Sequence, residues 1–232
     1  MPIDPKYNDL SYSVRRYYID EFYSRHIMDF PKASKILDIG GKKAKKRGQF
    51  DIEKYCLKVE YVNLDEKTAP DYLCDAEHIP VEDDVFDGVV CSELMEHVLN
   101  PKAVLAEAYR VLKPGGTLLL SSPFLFRIHA DPYDYARYTD FFYQTALEDL
   151  GFRKVCIEKH GGFFSVLADM LKHGAKEVQR EGKIQNALKR KLFYLVVFWL
   201  TRKAFEWEKR DYFRQNNLFS SFTTGFGVSA VK

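Results

Sequence analysis

Between Lys35 and His160 this chain alternates short β-rich runs with helical patterns, and that alternation constrains its fold more than any other feature. The runs are KILDIG (35–40), VEYVNLD (59–65), DYLCD (71–75), FDGVVCSE (86–93), GTLLLSSPF (116–124) and FRKVCIEKH (152–160). Branched apolar runs of this length, interleaved with segments of helical period, predict parallel strands covered by helices on both faces. GFGVSAVK (225–232) alternates apolar with small or polar residues and predicts a seventh strand, joining antiparallel. The expected fold class is α/β: a doubly wound, mostly parallel seven-stranded sheet with an antiparallel last strand.

Helix punctuation supports this order. In residues 101–112, Val104, Leu105, Ala108, Val111 and Leu112 make one apolar face, Asn100 stands at the cap and Pro101 in the first turn; Lys113 to Gly116 are expected to stop the helix. A second helix is expected over 140–150, capped by Thr139 and ended by Gly151. The predicted organisation is an N-terminal helical segment (1–30), an α/β domain (31–160 and 223–232) and a helical insertion or lid (161–222). The insertion leaves strand six at the ligand-binding edge and rejoins the sheet there. Its run LFYLVVFWL (192–200) is apolar nearly all round, and the domain, a partner subunit in a homodimer or a membrane surface would each bury it.

With 35 Lys and Arg against 33 Asp and Glu, the chain has no general field for nucleic acid or anionic membranes. No apolar run approaches the ~20 residues that span a bilayer, so no transmembrane anchor is expected. Residues 1–18 lack the apolar stretch of a secretory signal. Cys56, Cys74, Cys91 and Cys156 are widely spaced without a CxxC pair and mostly sit in apolar runs, which predicts buried reduced thiols and a cytoplasmic location. The basic run KKAKKR (42–47) is short and internal, as a solvated loop is.

The chemistry lies where strands end. LDIGG (37–41) places Asp38, Gly40 and Gly41 where a strand turns into a loop, and glycine lets a ligand approach the backbone closely. Asp65, at the end of the second run, can accept from both hydroxyls of a ribose. Asp75, at the end of the third, can accept from an exocyclic adenine amine while the N–H of Ala76 meets a ring nitrogen. Acids at successive carboxyl ends mark a nucleoside-like ligand. Glu93, Glu96 and His97 could suggest a metal, but no second histidine falls at ligand spacing, so no metal is expected and His97 reads as structural or pocket-lining.

From Asp75 to Phe124 the sequence DAEHIPVEDDVFDGVVCSELMEHVLNPKAVLAEAYRVLKPGGTLLLSSPF resembles the class I S-adenosylmethionine-dependent methyltransferases, in the group whose signature runs FD, then EH, then LKPGG. The resemblance implies a Rossmann-like methyltransferase fold, S-adenosylmethionine as cofactor, and methyl transfer to a small or medium-sized acceptor. It further implies that Asp38, Gly40 and Gly41 face the methionine part of the cofactor, that Asp65 holds the ribose, that Asp75 and Ala76 read the adenine, and that Ser92 and Glu93 line the floor near the sulfonium. The family pattern has two further glycines in the loop, where this chain has Lys42 and Ala44.

PFLFRIHADPYDYARYTD (123–140) leaves the same edge carrying His129, Asp131, Asp134, Tyr133, Tyr135, Arg137 and Tyr138. Loops in this place select substrates. His129 is the candidate base for a hydroxyl acceptor, with Asp131 or Asp134 to orient it. Asp134, Tyr135 and Arg137 are the candidate acceptor contacts, and packing the loop down is the alternative role for its tyrosines. HADPYDYARYT resembles a subset of these enzymes associated with bacterial cell-surface sugar modification, which implies O-methylation of a sugar or glycan-related molecule. Two competing readings are a non-catalytic S-adenosylmethionine-binding protein, suggested by Lys42 and Ala44, and a nicotinamide-dependent oxidoreductase, which the missing G-x-G-x-x-G disfavours.

Overall fold

A computed structural model describes residues 5–43, 48–130 and 132–232. In chain order the elements are α1 (Pro5–Asn8), α2 (Val14–His26), β1 (Lys35–Ile39), β2 (Lys58–Asn63), β3 (Tyr72–Leu73), β4 (Phe86–Ser92), α3 (Pro101–Val111), β5 (Leu112–Pro123), α4 (Asp140–Asp149), β6 (Arg153–Lys159), α5 (Phe163–Arg180), α6 (Ala187–Glu208), α7 (Asp211–Gln215), α8 (Asn217–Ser220) and β7 (Gly225–Val231). They form two compact units: Asp20–Glu158 with Phe226–Lys232, and the residues up to Ile19 with Lys159–Gly225.

The first of these units holds the sheet, in the order β3-β2-β1-β4-β5-β7-β6. β1 pairs parallel with β2 (Lys35↔Lys58 to Ile39↔Val62) and with β4 (Ile36↔Gly88 to Ile39↔Cys91), and β4 pairs parallel with β5. β7 is antiparallel: Gly115 N–H donates to Lys232 O at 3.0 Å and Lys232 N–H returns to Gly116 O at 2.9 Å. The seven-stranded α/β expectation therefore holds. Strand order reverses at β1 and β4, and a ligand crevice opens outside the carboxyl ends at such a reversal.

Both faces of the central strands are buried, as a sheet covered by helices requires. Leu37, Ile39, Val89, Cys91, Leu118 and Leu120 pack with Val104, Leu105, Ala108 and Val111 of α3 and with Tyr143 and Leu147 of α4. The alternate positions Ile36, Val90 and Leu119 are buried too, on the opposite face. Each such side chain contributes about 1.5–3 kcal/mol relative to leaving it in water. Arg110 of α3 pins the segment leading into β4, donating to Val81 O at 2.7 Å and Ile79 O at 2.9 Å while pairing with Glu107 and Asp83.

Several local expectations change. LKPGG does not merely stop α3; Leu112 opens β5 opposite Phe86, and the register shifts between Phe86 and Gly88. Asn100 stands at the N-cap without a side-chain bond, and its backbone carbonyl serves Ala103 and Val104 instead, whereas Thr139 does cap α4. β2 and β3 stop at Asn63 and Leu73, two residues short of Asp65 and Asp75, because they share only two paired positions, Val62↔Tyr72 and Asn63↔Leu73. Of the four free cysteines Cys91 is buried and Cys74 half-buried, but Cys56 and Cys156 are exposed. Lys42 is exposed and Lys43 reaches Asp71 at 2.6 Å; Ala44 and the rest of the basic run lie outside the described residues.

The second unit is helical. Its core joins Val14 of α2, Ala168 of α5, and Ala204 and Phe205 of α6, with Tyr7, Tyr17 and Tyr18 set around the Phe205 ring. The buried Lys172 ammonium donates to Tyr12 O at 2.6 Å, and Asp169 accepts from the Arg15 N–H at 3.0 Å. Along α6, Val197, Thr201, Ala204 and Phe205 are buried on one face. The opposite face, Leu188, Leu192, Leu195, Val196 and Trp199, is open, so the apolar run is not buried all round. No helix among the described residues is long and apolar enough to cross a membrane.

Candidate functional site

The carboxyl ends of β1, β2, β4 and β5 meet at the strand-order reversal, and most of the site residues expected from the sequence lie on the loops there. β1 runs out through Asp38 and Ile39 into Gly40, which adopts φ +82° and donates its N–H to Val62 O at 2.8 Å. The Asp38 carboxylate then occupies the space over Gly41 that any side chain would need. Asn63, the last residue of β2, donates from Nδ2 to Gly40 O at 3.1 Å and Gly41 O at 2.9 Å. This clamp fixes the loop although the chain lacks the later glycines of the family pattern. In the sequence Asn63 is an ordinary residue of VNLD, and its position one strand over from the glycines is its only signal.

Asp65 and Asp75 lie beyond the strand ends. Each spends one carboxylate oxygen on the local turn, Asp65 accepting from Lys67 N–H at 3.0 Å and Asp75 from Glu77 N–H at 2.9 Å. Both are exposed, and each keeps a second oxygen for a ligand. Ala76 is buried beside Asp75.

At the end of β4, Ser92 Oγ lies 3.3 Å from Ser121 Oγ of β5. Glu93 takes φ +56°, a left-handed conformation that a residue with a side chain adopts at a cost of about 1–3 kcal/mol and that gathers at functional positions. It is held by its own N–H donating to Ser121 O at 2.9 Å and by Ser121 Oγ donating to its carboxylate at 3.1 Å. Tyr23, whose buried hydroxyl is raised far above the ordinary tyrosine range by desolvation, packs its OH 3.2 Å from Ser121 Oγ. Ser92, Glu93 and Ser121 thus make a polar floor.

The loop after β5 folds back on this floor, with Tyr135 N–H donating to Glu96 O at 2.8 Å. Within it Asp134 is the keystone. Its carboxylate accepts from Arg137 through both oxygens, from the His129 backbone N–H at 2.8 Å, and stands 3.1 Å from His129 Nδ1. Arg137 holds the Asp134 carboxyl well below the usual carboxylate range. Arg137 also donates to Ala136 O and Arg127 O. Asp134 and Arg137, expected to touch the acceptor, are therefore engaged in shaping the loop; the Asp134 side chain is 2% exposed. Tyr138 stacks on Phe142 as a packing residue, while Tyr133 and Tyr135 are open to solvent. Asp131 lies outside the described residues.

His129 meets two residues just beyond the carboxyl end of β4, Glu96 and His97. Its Nε2 is 3.8 Å from Glu96 Oε1, the His97 Nε2 is 3.5 Å from the same oxygen, and the two imidazoles meet edge to face at 5.0 Å. Glu96 is 1% exposed. His129 is the second histidine that spacing alone could not supply, since it lies a strand, a helix and a loop further on.

A methyltransferase-domain family matches residues 41–120. The chain is 38% identical over 101 residues to a ubiquinone/menaquinone biosynthesis C-methyltransferase of Cupriavidus pinatubonensis, covering 37% of this chain and 42% of the relative. It is 47% identical over 47 residues to a ubiquinone biosynthesis O-methyltransferase of Dechloromonas aromatica, 20% of this chain and 19% of that one. The chain thus spans less than half the length of the curated relatives it matches. In fold it is similar to a SAM-dependent methyltransferase of Archaeoglobus fulgidus, with a TM-score of 0.57 and 16% identity over 94% of both chains.

Proposed function

We propose that this chain, a class I S-adenosylmethionine-dependent methyltransferase by its fold and by the sequence of its cofactor half, binds S-adenosylmethionine at the Asp38 to Glu93 edge and methylates an oxygen or nitrogen of a small or medium-sized acceptor. The observation that carries this reading is the clamped loop: Asp38 closed over Gly41, and Asn63 holding both glycine carbonyls. A preformed backbone cradle of this kind, with exposed carboxylates from the two neighbouring strand ends, suits a nucleoside joined to an amino acid. Asp65 would hold the ribose, Asp75 and Ala76 the adenine, Asp38, Gly40 and Gly41 the methionine part, and Ser92 and Glu93 the floor beneath the sulfonium.

When bound, S-adenosylmethionine supplies a methyl group whose sulfur leaves with the bonding pair as the acceptor atom bonds to the carbon. The protein's part is alignment and proton management. Asp134 and Arg137 brace the described part of the loop, Asp134 accepting the His129 backbone N–H, so that His129 presents Nε2 to take the proton that an acceptor hydroxyl gives up. Tyr135 is the open contact of the loop for the acceptor. A polyhydroxylated, glycan-type acceptor suits these groups; the quinone-pathway relatives make a phenolic acceptor the second choice. The open α6 face of the helical unit is exposed apolar surface that a homodimer would bury.

Calorimetry tests the cofactor assignment. S-adenosylmethionine and S-adenosylhomocysteine should each bind once per chain, and transfer of radiolabelled methyl should follow with a sugar or phenol panel. Heat from NAD and none from either sulfur nucleoside would favour an oxidoreductase, and binding without transfer to any acceptor would favour a non-catalytic binder.

A further inference from the structure

We infer that Glu96, His97 and His129 form a site for a first-row divalent transition-metal cation at the acceptor side of the cleft. One ligand atom from each residue can be chosen so that all three lie within 4.8 Å of one another. The distances from Glu96 Oε1 to His97 Nε2 and His129 Nε2 are 3.5 and 3.8 Å. Ligands bonded at about 2.1 Å around a tetrahedral cation stand roughly 3.4 Å apart, so the cluster needs only small side-chain movements to close on one ion.

The surroundings resemble those of a built metal site. A ligating imidazole ordinarily has its other ring nitrogen held by a carbonyl or a carboxylate, which fixes the ring and leaves the remaining lone pair for the metal. His97 shows this arrangement, its Nδ1 2.5 Å from Tyr133 O, and Asp134 stands beside His129, accepting the His129 backbone N–H at 2.8 Å with Oδ2 3.1 Å from Nδ1. The acceptor loop therefore orients both histidines, one through its backbone and one through its keystone carboxylate. Glu96 supplies a buried carboxyl group, and the neighbouring Asp134 and Arg137 pair with each other. Two imidazoles with one carboxylate select zinc, iron, cobalt or nickel over magnesium or calcium, which prefer an all-oxygen shell. Three protein ligands leave positions open, as sites that bind a substrate oxygen do.

The functional consequence rests on the reading of the 123–140 loop as the acceptor wall. In the metal-free protein His129 Nε2 is the proton acceptor; with the cation seated, His129 becomes a ligand and the acceptor hydroxyl takes an open position. A hydroxyl bound to a divalent cation gives up its proton to solvent more readily, so the cation takes over the activating role. A hydroxyl acceptor is then preferred to an amine.

The test uses the full chain freed of metal by chelation and dialysis, titrated with Zn2+ and with Co2+ in the absence of cofactor and acceptor. One equivalent per chain should bind, and Co2+ should develop visible absorption bands of a low-coordinate nitrogen and oxygen site. His97→Ala and His129→Ala should each abolish stoichiometric binding, and Asp134→Asn should weaken it about 10–100-fold. Because Glu96 is buried, Glu96→Gln is scored only alongside its melting temperature. No stoichiometric binding, or binding unchanged in both histidine variants, would overturn the site. Sulfur-nucleoside affinity, measured separately on the same metal-free protein, reports on the cofactor reading independently of this outcome.

Discussion

The Asp38 carboxylate lies so close over Gly41 that a Cβ added at position 41 would stand 2.1 Å from Asp38 Oδ2. Gly41→Ala must displace Asp38 or the backbone, and both belong to the proposed cofactor cradle. The expected result is a loss of S-adenosylmethionine affinity of at least tenfold, or about 1.4 kcal/mol, with a smaller fall in melting temperature. Unchanged affinity by calorimetry would remove the loop from the cofactor site.

Asn63→Ala removes two donors from the glycine carbonyls, each bond worth about 0.5–1.5 kcal/mol net. Cofactor affinity should fall five- to fiftyfold. Asp65→Ala should cost about 1–3 kcal/mol of binding by a different route, leaving ribose hydroxyls without an acceptor. Because Asn63 Oδ1 also accepts from the Asp65 backbone N–H at 2.9 Å, the two sites are coupled and the double variant should lose less than their sum, which calorimetry on all three proteins tests.

On the proposed reading, Arg137 acts through Asp134, whose two oxygens it holds, rather than on the acceptor. Arg137→Ala should leave cofactor affinity within about twofold and lower kcat, because His129 loses its fixed aim. Arg137→Lys should not rescue it, since a single ammonium cannot reproduce the paired contact on both Asp134 oxygens. Full activity in the lysine variant would sink this assignment.

The Glu107 and Arg110 pair gives a signed pH dependence. Hydrogen bonding from Arg110 is the first cause holding the Glu107 carboxyl below its ordinary range, and Lys113 does the same for Asp87. A depressed folded pKa contributes stability above the unfolded value of about 4 and loses it as pH falls through the folded value. The melting temperature should therefore drop steeply below about pH 4, and Glu107→Gln should flatten part of that drop while costing about 1 kcal/mol at neutral pH. Thermal melts of both proteins between pH 7 and 3 check it.

Trp199 is 55% exposed on the open face of α6. If that face joins two copies, Trp199→Asp should yield a folded monomer where the wild type sediments as a dimer. A monomeric wild type would end the homodimer proposal.

What the sequence made legible follows from where local chemistry and tertiary context agree. β1, β4, β6 and β7 were readable because branched apolar runs ended at glycine, acid or loop signals, and Thr139 and Gly151 bracketed α4 as their chemistry demands. Asp65 and Asp75 appeared to close strands, but pairing at the sheet edge ends earlier, which the runs VNLD and DYLCD do not encode. Exposure of Cys56 and Cys156 depends on neighbours that their own segments do not name. The contact of His129 with Glu96 and His97 depends on tertiary docking of its loop, Tyr135 N–H on Glu96 O and Tyr133 O on His97 Nδ1. Asp134, expected as an acceptor contact, has both its oxygens taken by the arginine three positions on in its own loop, a pairing that the string alone does not encode.

β7 is synthesised after every other strand of the sheet, yet it sits between β5 and β6. Until residues 225–231 leave the ribosome, β5 has one row of backbone donors and acceptors without its final partner, and β6 has no neighbour in the sheet at all. Unpaired edges of this kind recruit other chains. Such edges call for guarding through most of the synthesis, and the insertion of a late segment between two earlier strands, a closure of long sequence separation, is expected to be a slow folding step. Translation paused before residue 225 should leave a nascent chain that chaperones hold and proteases trim at β6, whereas release of β7 should render the same segment resistant.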